Sequence, residues 1–318
     1  MTDRSNEAVE RAEHASSVFV SIQTTAFSGA TLLAFLLGAH PQIATIGEMN
    51  GLIAREDPEV YLCSCGQKIK ECDFWRSVEG AMRARGFEFG VARFDMGFGS
   101  GGPWLIQQLR TRSFRNHALN AARDALWQAW PGERHRLKAL VSRNEAFVES
   151  VLAITDKHVF VDTSKDGLRL GALRRFSRFD VRAIHLVRDV RGVVASRLRR
   201  NVGVEAGEAA RQWTRLHRRH QKTLDSWPEA HRIRIRYEDL CQDVQGTLGH
   251  LYRFCGVDPD FRMMDFRSTS HHIVGNAMRL ANLSEIRLDE RWRSLLTEDQ
   301  LREVSGIAGG LSRQLGYC

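Results

Sequence analysis

Short apolar runs recur along the chain, and helical patterns follow several of them. Val18-Phe19-Val20-Ser21-Ile22, Val159–Asp162, Ile184–Val187 and Arg232–Tyr237 are each brief and apolar or β-branched, the pattern of buried strands. Thr31–Leu37, Gly192–Arg200 and Val244–Phe254 carry apolar residues at helical spacing. Alternation of this kind predicts an α/β fold: a parallel sheet flanked by crossover helices. Residues 205–226 read as one amphipathic helix with Ala209, Trp213, Leu216 and His220 on a single stripe, where Trp213 is expected to be core. Arg287–Cys318 reads as short helices. Residues 55–150 stand outside the alternation, with a cysteine-containing segment, a glycine-rich stretch (Gly97–Pro103) and helical material such as Asn116–Trp130. No internal repeat or low-complexity tract is visible.

A length of 318 residues suits one α/β domain with insertions, and 43% hydrophobic residues suffice for a sizeable core. No apolar run approaches the ~20 residues that span a membrane. The first residues, MTDRSNEAVERAEH, are polar and lack an apolar signal core, so a loose tail over 1–15 and a cytoplasmic location are expected. The formal net charge of +8 admits nucleic acid as a partner. However, zinc-finger and aromatic ribonucleoprotein patterns are both missing, and the arginines are spread along helical stretches. A basic cleft for a polyanionic nucleotide explains the excess more simply.

In a reducing compartment the six cysteines are expected to be free thiols. Cys241 and Cys255 sit in apolar helical contexts. Cys63, Cys65 and Cys72 form a C-x-C-x6-C pattern that ends in Phe74-Trp75. The spacing could hold part of a metal site, but a closed tetrahedral site needs a fourth ligand. The default expectation is a turn packed by Phe74 and Trp75, with a zinc site as the alternative.

Two segments carry chemistry. The run Val18–Ile22 gives way to small hydroxyl residues and Gly29, then to a helical pattern. This is the layout of a loop whose backbone N–H groups face an anion at a helix N-terminus. The signature G-x-x-x-x-G-K-[ST] is absent, which argues against an ordinary ATPase. In the second segment, IHLVRDVRGVVASRLRR, Arg188 ends a strand and Ser196 follows eight residues later on a helix. Ligands of open α/β sheets bind at the carboxyl ends of strands, where an arginine offers a planar fork to a phosphate.

Taken together, these segments resemble the sulfotransferases that use 3′-phosphoadenosine-5′-phosphosulfate (PAPS). Phe27-Ser28-Gly29-Ala30-Thr31-Leu32-Leu33 is similar to the family's 5′-phosphosulfate loop, [RK]-S-G-[ST]-T-L-L, with Phe27 in place of the basic residue. Arg188 and Ser196 have the spacing of its 3′-phosphate motif. Further ordered likenesses are Ala39-His40-Pro41 with Gly47-Glu48, Asp162-Thr163-Ser164-Lys165, Tyr237-Glu238-Asp239-Leu240, Phe254-Cys255-Gly256, and His271…Gly275-Asn276…Arg279. They span about residues 18 to 280.

The resemblance implies a P-loop-like parallel sheet in a three-layer sandwich. It implies one domain over 16–318, with a variable acceptor or lid insertion at about 55–150. PAPS is then the donor co-substrate and no metal is required. Ser28, Gly29, Ala30, Thr31 and Leu32 would cradle the 5′ end, and Arg188 and Ser196 would grip the 3′-phosphate. Tyr237 would meet the adenine, and Asn276 and Arg279 would close over the nucleotide. Glu48 is the expected general base, with His40 as rival, although a His-Pro pair at a helix end reads as structural. Lys165 is expected to offset the loss of charge at Phe27. His271 and His272 are plausible acceptor contacts. The acceptor is expected to be a hydroxyl or amine of a glycan, glycolipid or small metabolite, with no nucleic acid and no integral membrane segment. Two alternatives stand beside this reading: a P-loop nucleoside or sugar kinase, and an inactive nucleotide-binding relative.

Overall fold

A computed structural model describes residues 17–50, 57–99, 122, 130–200, 203–262, 266, 272–275, 280 and 286–317. In chain order the elements are β1 (Val18–Gln23), α1 (Ala30–Gly38), β2 (Ile43–Gly47), α2 (Asp73–Ala84), α3 (Pro131–Thr155), β3 (Val159–Asp162), α4 (Gly167–Phe176) and β4 (Asp180–Val187). They continue with α5 (Val190–Arg200), α6 (Ala206–Asp225), β5 (Arg232–Arg236), α7 (Tyr237–Gln242), α8 (Val244–Cys255), α9 (Trp292–Leu295) and α10 (Glu298–Gln314).

The strands form one sheet in the order β2-β3-β1-β4-β5, and every pairing is parallel. β1 lies at the centre and is buried along its whole length, which explains its near-continuous apolar run. Alternation sends its side chains to two cores. Phe19 packs with Ala44, Ile46, Phe160 and Val181 beneath α2 and α3. Val18, Val20 and Ile22 pack with Val161, Ile184 and Leu186 beneath α1 and α8. A third cluster joins Val187 to α5, α6 and α10. The three-layer α/β expectation therefore holds, and no helix among the described residues is long and apolar enough to cross a membrane.

All four expected strands are present, and the structure adds β2. Its sequence, Ile43-Ala44-Thr45-Ile46-Gly47, is short and carries only two large apolar residues. β4 begins four residues before the expected Ile184, because Arg182 inside it is neutralised by Asp180 and so tolerates the strand. The C-terminal region departs from the expected short helices: α10 has 17 residues and starts with a capping box between Thr297 and Gln300. Gly306, Gly309 and Gly310 dilute its helical signal, while Val304, Ala308 and Leu311 bury its stripe.

The described part of 55–150 is not peripheral. α2 and the 25-residue α3, which opens at Pro131, supply much of one core layer. Of the expected helical stretch Asn116–Trp130, only 122 and 130 are described, and the expected tail over 1–15 lies outside the described residues. His40 is structural, as the His-Pro pairing indicated. It is buried, its Nδ1 accepts from the Gln42 amide at 3.1 Å, and its ring lies against Tyr252 and Phe261.

Candidate functional site

The carboxyl ends of the strands share one rim, so the loops that follow β1, β2, β3 and β4 meet there. After β1, Thr24 hydrogen-bonds the Leu186 carbonyl at 2.6 Å, and the Thr25 and Ser28 hydroxyls pair at 2.7 Å. These contacts turn the chain sharply into α1. Phe27 adopts the left-handed region with φ 64°, a costly conformation for a non-glycine residue. Gly29 follows at φ 90°, and a Cβ there would lie 2.6 Å from the Tyr237 ring, so only glycine fits. α1 starts at Ala30 with no side-chain cap, which leaves the N–H groups of Ala30, Thr31 and Leu32 without acceptors inside the helix. A loop of this shape is ready to receive an anion.

Arg188 ends β4, as the sequence indicated. Its guanidinium is buried, and Nη1 donates to the Phe27 carbonyl at 2.8 Å. Nη2 donates to the Asp289 carbonyl at 3.1 Å and pairs with the Asp289 carboxylate at 3.1 Å. Its Nε has no acceptor among the described residues. The guanidinium also lies 4.5 Å above the Tyr237 ring, while Gly192 leaves it room: a Cβ there would stand 3.0 Å from Nε. Ser196, half-buried on α5, lines the same small hollow with Arg199, Asp289 and Arg291. Arg291 and Arg188 hold the Asp289 carboxyl well below the usual carboxylate range against the opposing effect of burial. Tyr237 is buried, its hydroxyl donates to the Arg287 carbonyl at 3.4 Å, and burial pushes its pKa up.

On the other half of the rim, Lys165 Nζ donates to Glu48 Oε1 at 2.6 Å, with both side chains about one-fifth exposed (22% and 19%). Lys165 is left-handed at φ 60°, a second strained non-glycine residue at this rim. A fully buried pair fixes the platform below. Arg169 on α4 meets Asp162 at 3.2 Å, Asn144 at 3.1 Å, Asn50 at 2.8 Å and the Met96 carbonyl at 3.0 Å. Asp162 in turn accepts from Ser164, whose hydroxyl accepts from the Met49 amide at 2.6 Å. That chain of bonds sets the loop carrying Glu48 against the loop carrying Lys165.

Beside this pair lies a cavity of about 280 Å³ lined by Gln23, Asn50, Lys165, Asp166, Arg219 and His220, among others. Behind it His185, His217 and His220 form a buried cluster, with His185 Nε2 and His217 Nδ1 2.9 Å apart. Burial, aided by neighbouring positive charge, lowers all three: His185 to about 3, His220 to about 4, and His217 well below its ordinary value. Trp213 is core, as expected, and its indole donates to the Arg188 carbonyl at 3.1 Å.

The sequence pattern that describes the sulfotransferase family matches residues 107–261. Carbohydrate sulfotransferase 5 of Mus musculus is 26% identical over 166 residues, which is 43% of this chain and 42% of that protein. These likenesses support a sulfotransferase family for the chain. The chain aligns with less than half the length of this relative. Among solved structures, sulfotransferase STF9 from Mycobacterium avium shares the fold with a TM-score of 0.50 at 12% identity, covering 98% of this chain and 80% of that one. The sulfotransferase domain from the curacin biosynthetic pathway gives 0.49 at 15% identity, over 93% and 98% of the two chains.

In this chain the expected residues form two groups. Arg188 and Ser196 line one hollow, Arg188 also touches the Phe27 carbonyl and the Tyr237 ring that packs on Gly29, and Glu48 and Lys165 meet across the rim. Asn276, Arg279 and His271 lie outside the described residues. His272 stands away from the cavity beside Lys165 and faces the cysteine segment, where its Nδ1 is 3.4 Å from Cys72 Sγ. Sequence reasoning missed Arg169, Asp289 and His217. Arg169 follows Asp162 by seven residues, across the loop and into the first turn of α4, and no pattern marked it. Asp289 is 101 residues from Arg188, and no pattern marked it either.

Proposed function

We propose that the chain transfers a sulfuryl group from PAPS to a hydroxyl, or an amine, of an acceptor. The observation that carries this reading is the direct bond from Arg188 to the Phe27 carbonyl, which joins the candidate 3′-phosphate arginine to the candidate 5′-phosphate loop. A buried Nε without an acceptor and an open row of N–H groups suit a ligand with two separate phosphates.

On this reading the acceptor oxygen forms a bond to sulfur as the bond from sulfur to the bridging oxygen breaks. The 5′-phosphate leaves with that electron pair. Its added charge meets the loop N–H groups and the Lys165 ammonium, which takes over the task of the basic residue that Phe27 replaces. Glu48 accepts the acceptor's proton. In the resting protein each partner of the Glu48–Lys165 pair neutralises the other. As Lys165 turns to the leaving phosphate, Glu48 becomes free to act as base. The cavity beside the pair offers Gln23, Asn50 and Asp166 together with four leucines to an acceptor, and the likeness to a carbohydrate sulfotransferase supports a glycan or small metabolite.

Calorimetric titration with 3′-phosphoadenosine-5′-phosphate, beside AMP and ATP, tests the donor assignment. Micromolar binding of the bisphosphate, lost in Arg188→Ala and much weaker for AMP and ATP, is the expected result. Preference for ATP with Mg²⁺ would replace this reading with the kinase alternative.

A further inference from the structure

Cys63 and Cys65 lie at the turn of a small hairpin, where the Cys63 amide donates to the Gln67 carbonyl and the Gly66 amide to the Cys63 carbonyl, each at 2.9 Å. Cys72 is the N-cap of α2. The fourth group comes from far along the chain: the His272 ring stacks on Phe74 with centroids 4.3 Å apart and planes within 7°.

Cys63 Sγ, Cys65 Sγ, Cys72 Sγ and one ring nitrogen of His272 all lie within 4.8 Å of one another. Cys65 and Cys72 sulfurs are 3.7 Å apart, and His272 Nδ1 is 3.7 Å from Cys63 and 3.4 Å from Cys72. A tetrahedral zinc ion with Zn–S near ~2.3 Å and Zn–N near ~2.05 Å has edges of about 3.8 Å between sulfurs and about 3.6 Å from sulfur to nitrogen. The observed separations fit that tetrahedron. They do not fit a disulfide, whose sulfurs sit at about 2.05 Å, and all three cysteines are free.

We propose that Cys63, Cys65, Cys72 and His272 form a structural zinc site. With four protein ligands and no open position, the ion has no part in sulfuryl transfer. Its role is to fasten residues 272–275 to the body of the protein. That segment already touches the hairpin through the Ile273 amide on the Ser64 hydroxyl (2.8 Å) and the Gly275 amide on the Tyr61 hydroxyl (2.8 Å). It reaches the sheet through the Val274 amide on the Ile46 carbonyl at 2.7 Å, two residues from Glu48. Zinc therefore ties together parts of the chain 200 residues apart, a long loop closure, and steadies the edge of β2 that carries Glu48.

The test is elemental analysis of the untagged full-length chain made with zinc in the medium. One zinc per chain is expected, released in step with a mercurial that titrates the thiols. Cobalt substitution should give the visible bands of a tetrahedral thiolate site. Cys65→Ser alters an exposed side chain and should abolish stoichiometric metal, as should His272→Ala, whereas Cys241→Ser keeps it. A folded wild-type chain that holds no metal while its three thiols react freely overturns the proposal, and so does a Cys65–Cys72 disulfide found by mass spectrometry. Should the variants fail to fold, the stoichiometry and cobalt spectrum of the wild-type chain still decide.

Discussion

Two ion pairs of the same chemistry stand one above the other at the carboxyl end of β3 and differ in depth. Asp162–Arg169 is completely buried, at 0% exposure for both partners, and Arg169 also binds Asn50, Asn144 and the Met96 carbonyl. Glu48–Lys165 lies just above it, partly open, beside the cavity. The buried pair has no freedom, because releasing either partner strands a charge in a dry interior. The upper pair can exchange its partner for water or ligand at little cost. A rigid pair thus supports an exchangeable one, as a site needs when its geometry must hold while its charges move.

The comparison is broken most severely by Arg169→Met. It leaves the Asp162 carboxylate buried alone, and unfolding in denaturant should show a loss of about 3–5 kcal/mol. Lys165→Ala separates the two pairs: stability should change by less than about 1 kcal/mol, while kcat/KM for sulfuryl transfer falls roughly 100- to 1000-fold. A stability loss like that of Arg169→Met would show that the upper pair is structural as well.

The histidine cluster behind the cavity sharpens the comparison through pH. His185 and His220 have folded-state values near 3 and 4, below the unfolded value of about 6.5. Their stabilisation is fully present above pH ~6.5. It is lost as pH falls from there toward the folded values, because only the unfolded chain takes up the protons. The slope should be roughly 1.4 kcal/mol per pH unit for each histidine, read from denaturation midpoints, and His220→Gln should flatten it. The smallest effect belongs to Asp289→Asn. Removing the carboxylate that competes for Arg188 should tighten 3′-phosphoadenosine-5′-phosphate by roughly 2- to 5-fold in calorimetry. Weaker binding would mean that Asp289 orients Arg188.

Features made by neighbouring residues were legible in the sequence. β1 with its loop, and Arg188 with Ser196 one strand end and two helical turns apart, show their pattern within twenty residues. β2 was not legible, because two large apolar residues in five do not distinguish a strand from a loop. Features made by tertiary closure left no local mark. Asp289 reaches Arg188, and His272 reaches Cys72, only after the sheet has assembled. The cysteine pattern was visible but lacked its fourth ligand, which lies at the far end of the chain. Lys165 was expected at a strand end and Glu48 only through the family resemblance, and that they would touch depends on β2 lying beside β3, which no local pattern states.

The strand order also has a cost during synthesis. β1 and β2 do not pair with each other, and the first partner of either is β3, whose Val159 aligns with both Val18 and Ile43. At about 5–20 residues per second, β1 leaves the ribosome roughly 7 to 30 seconds before its neighbour is made. For that interval the central strand, buried along its whole length in the folded protein, is an unpaired edge on a nascent chain, and it is a segment a chaperone would have to shield.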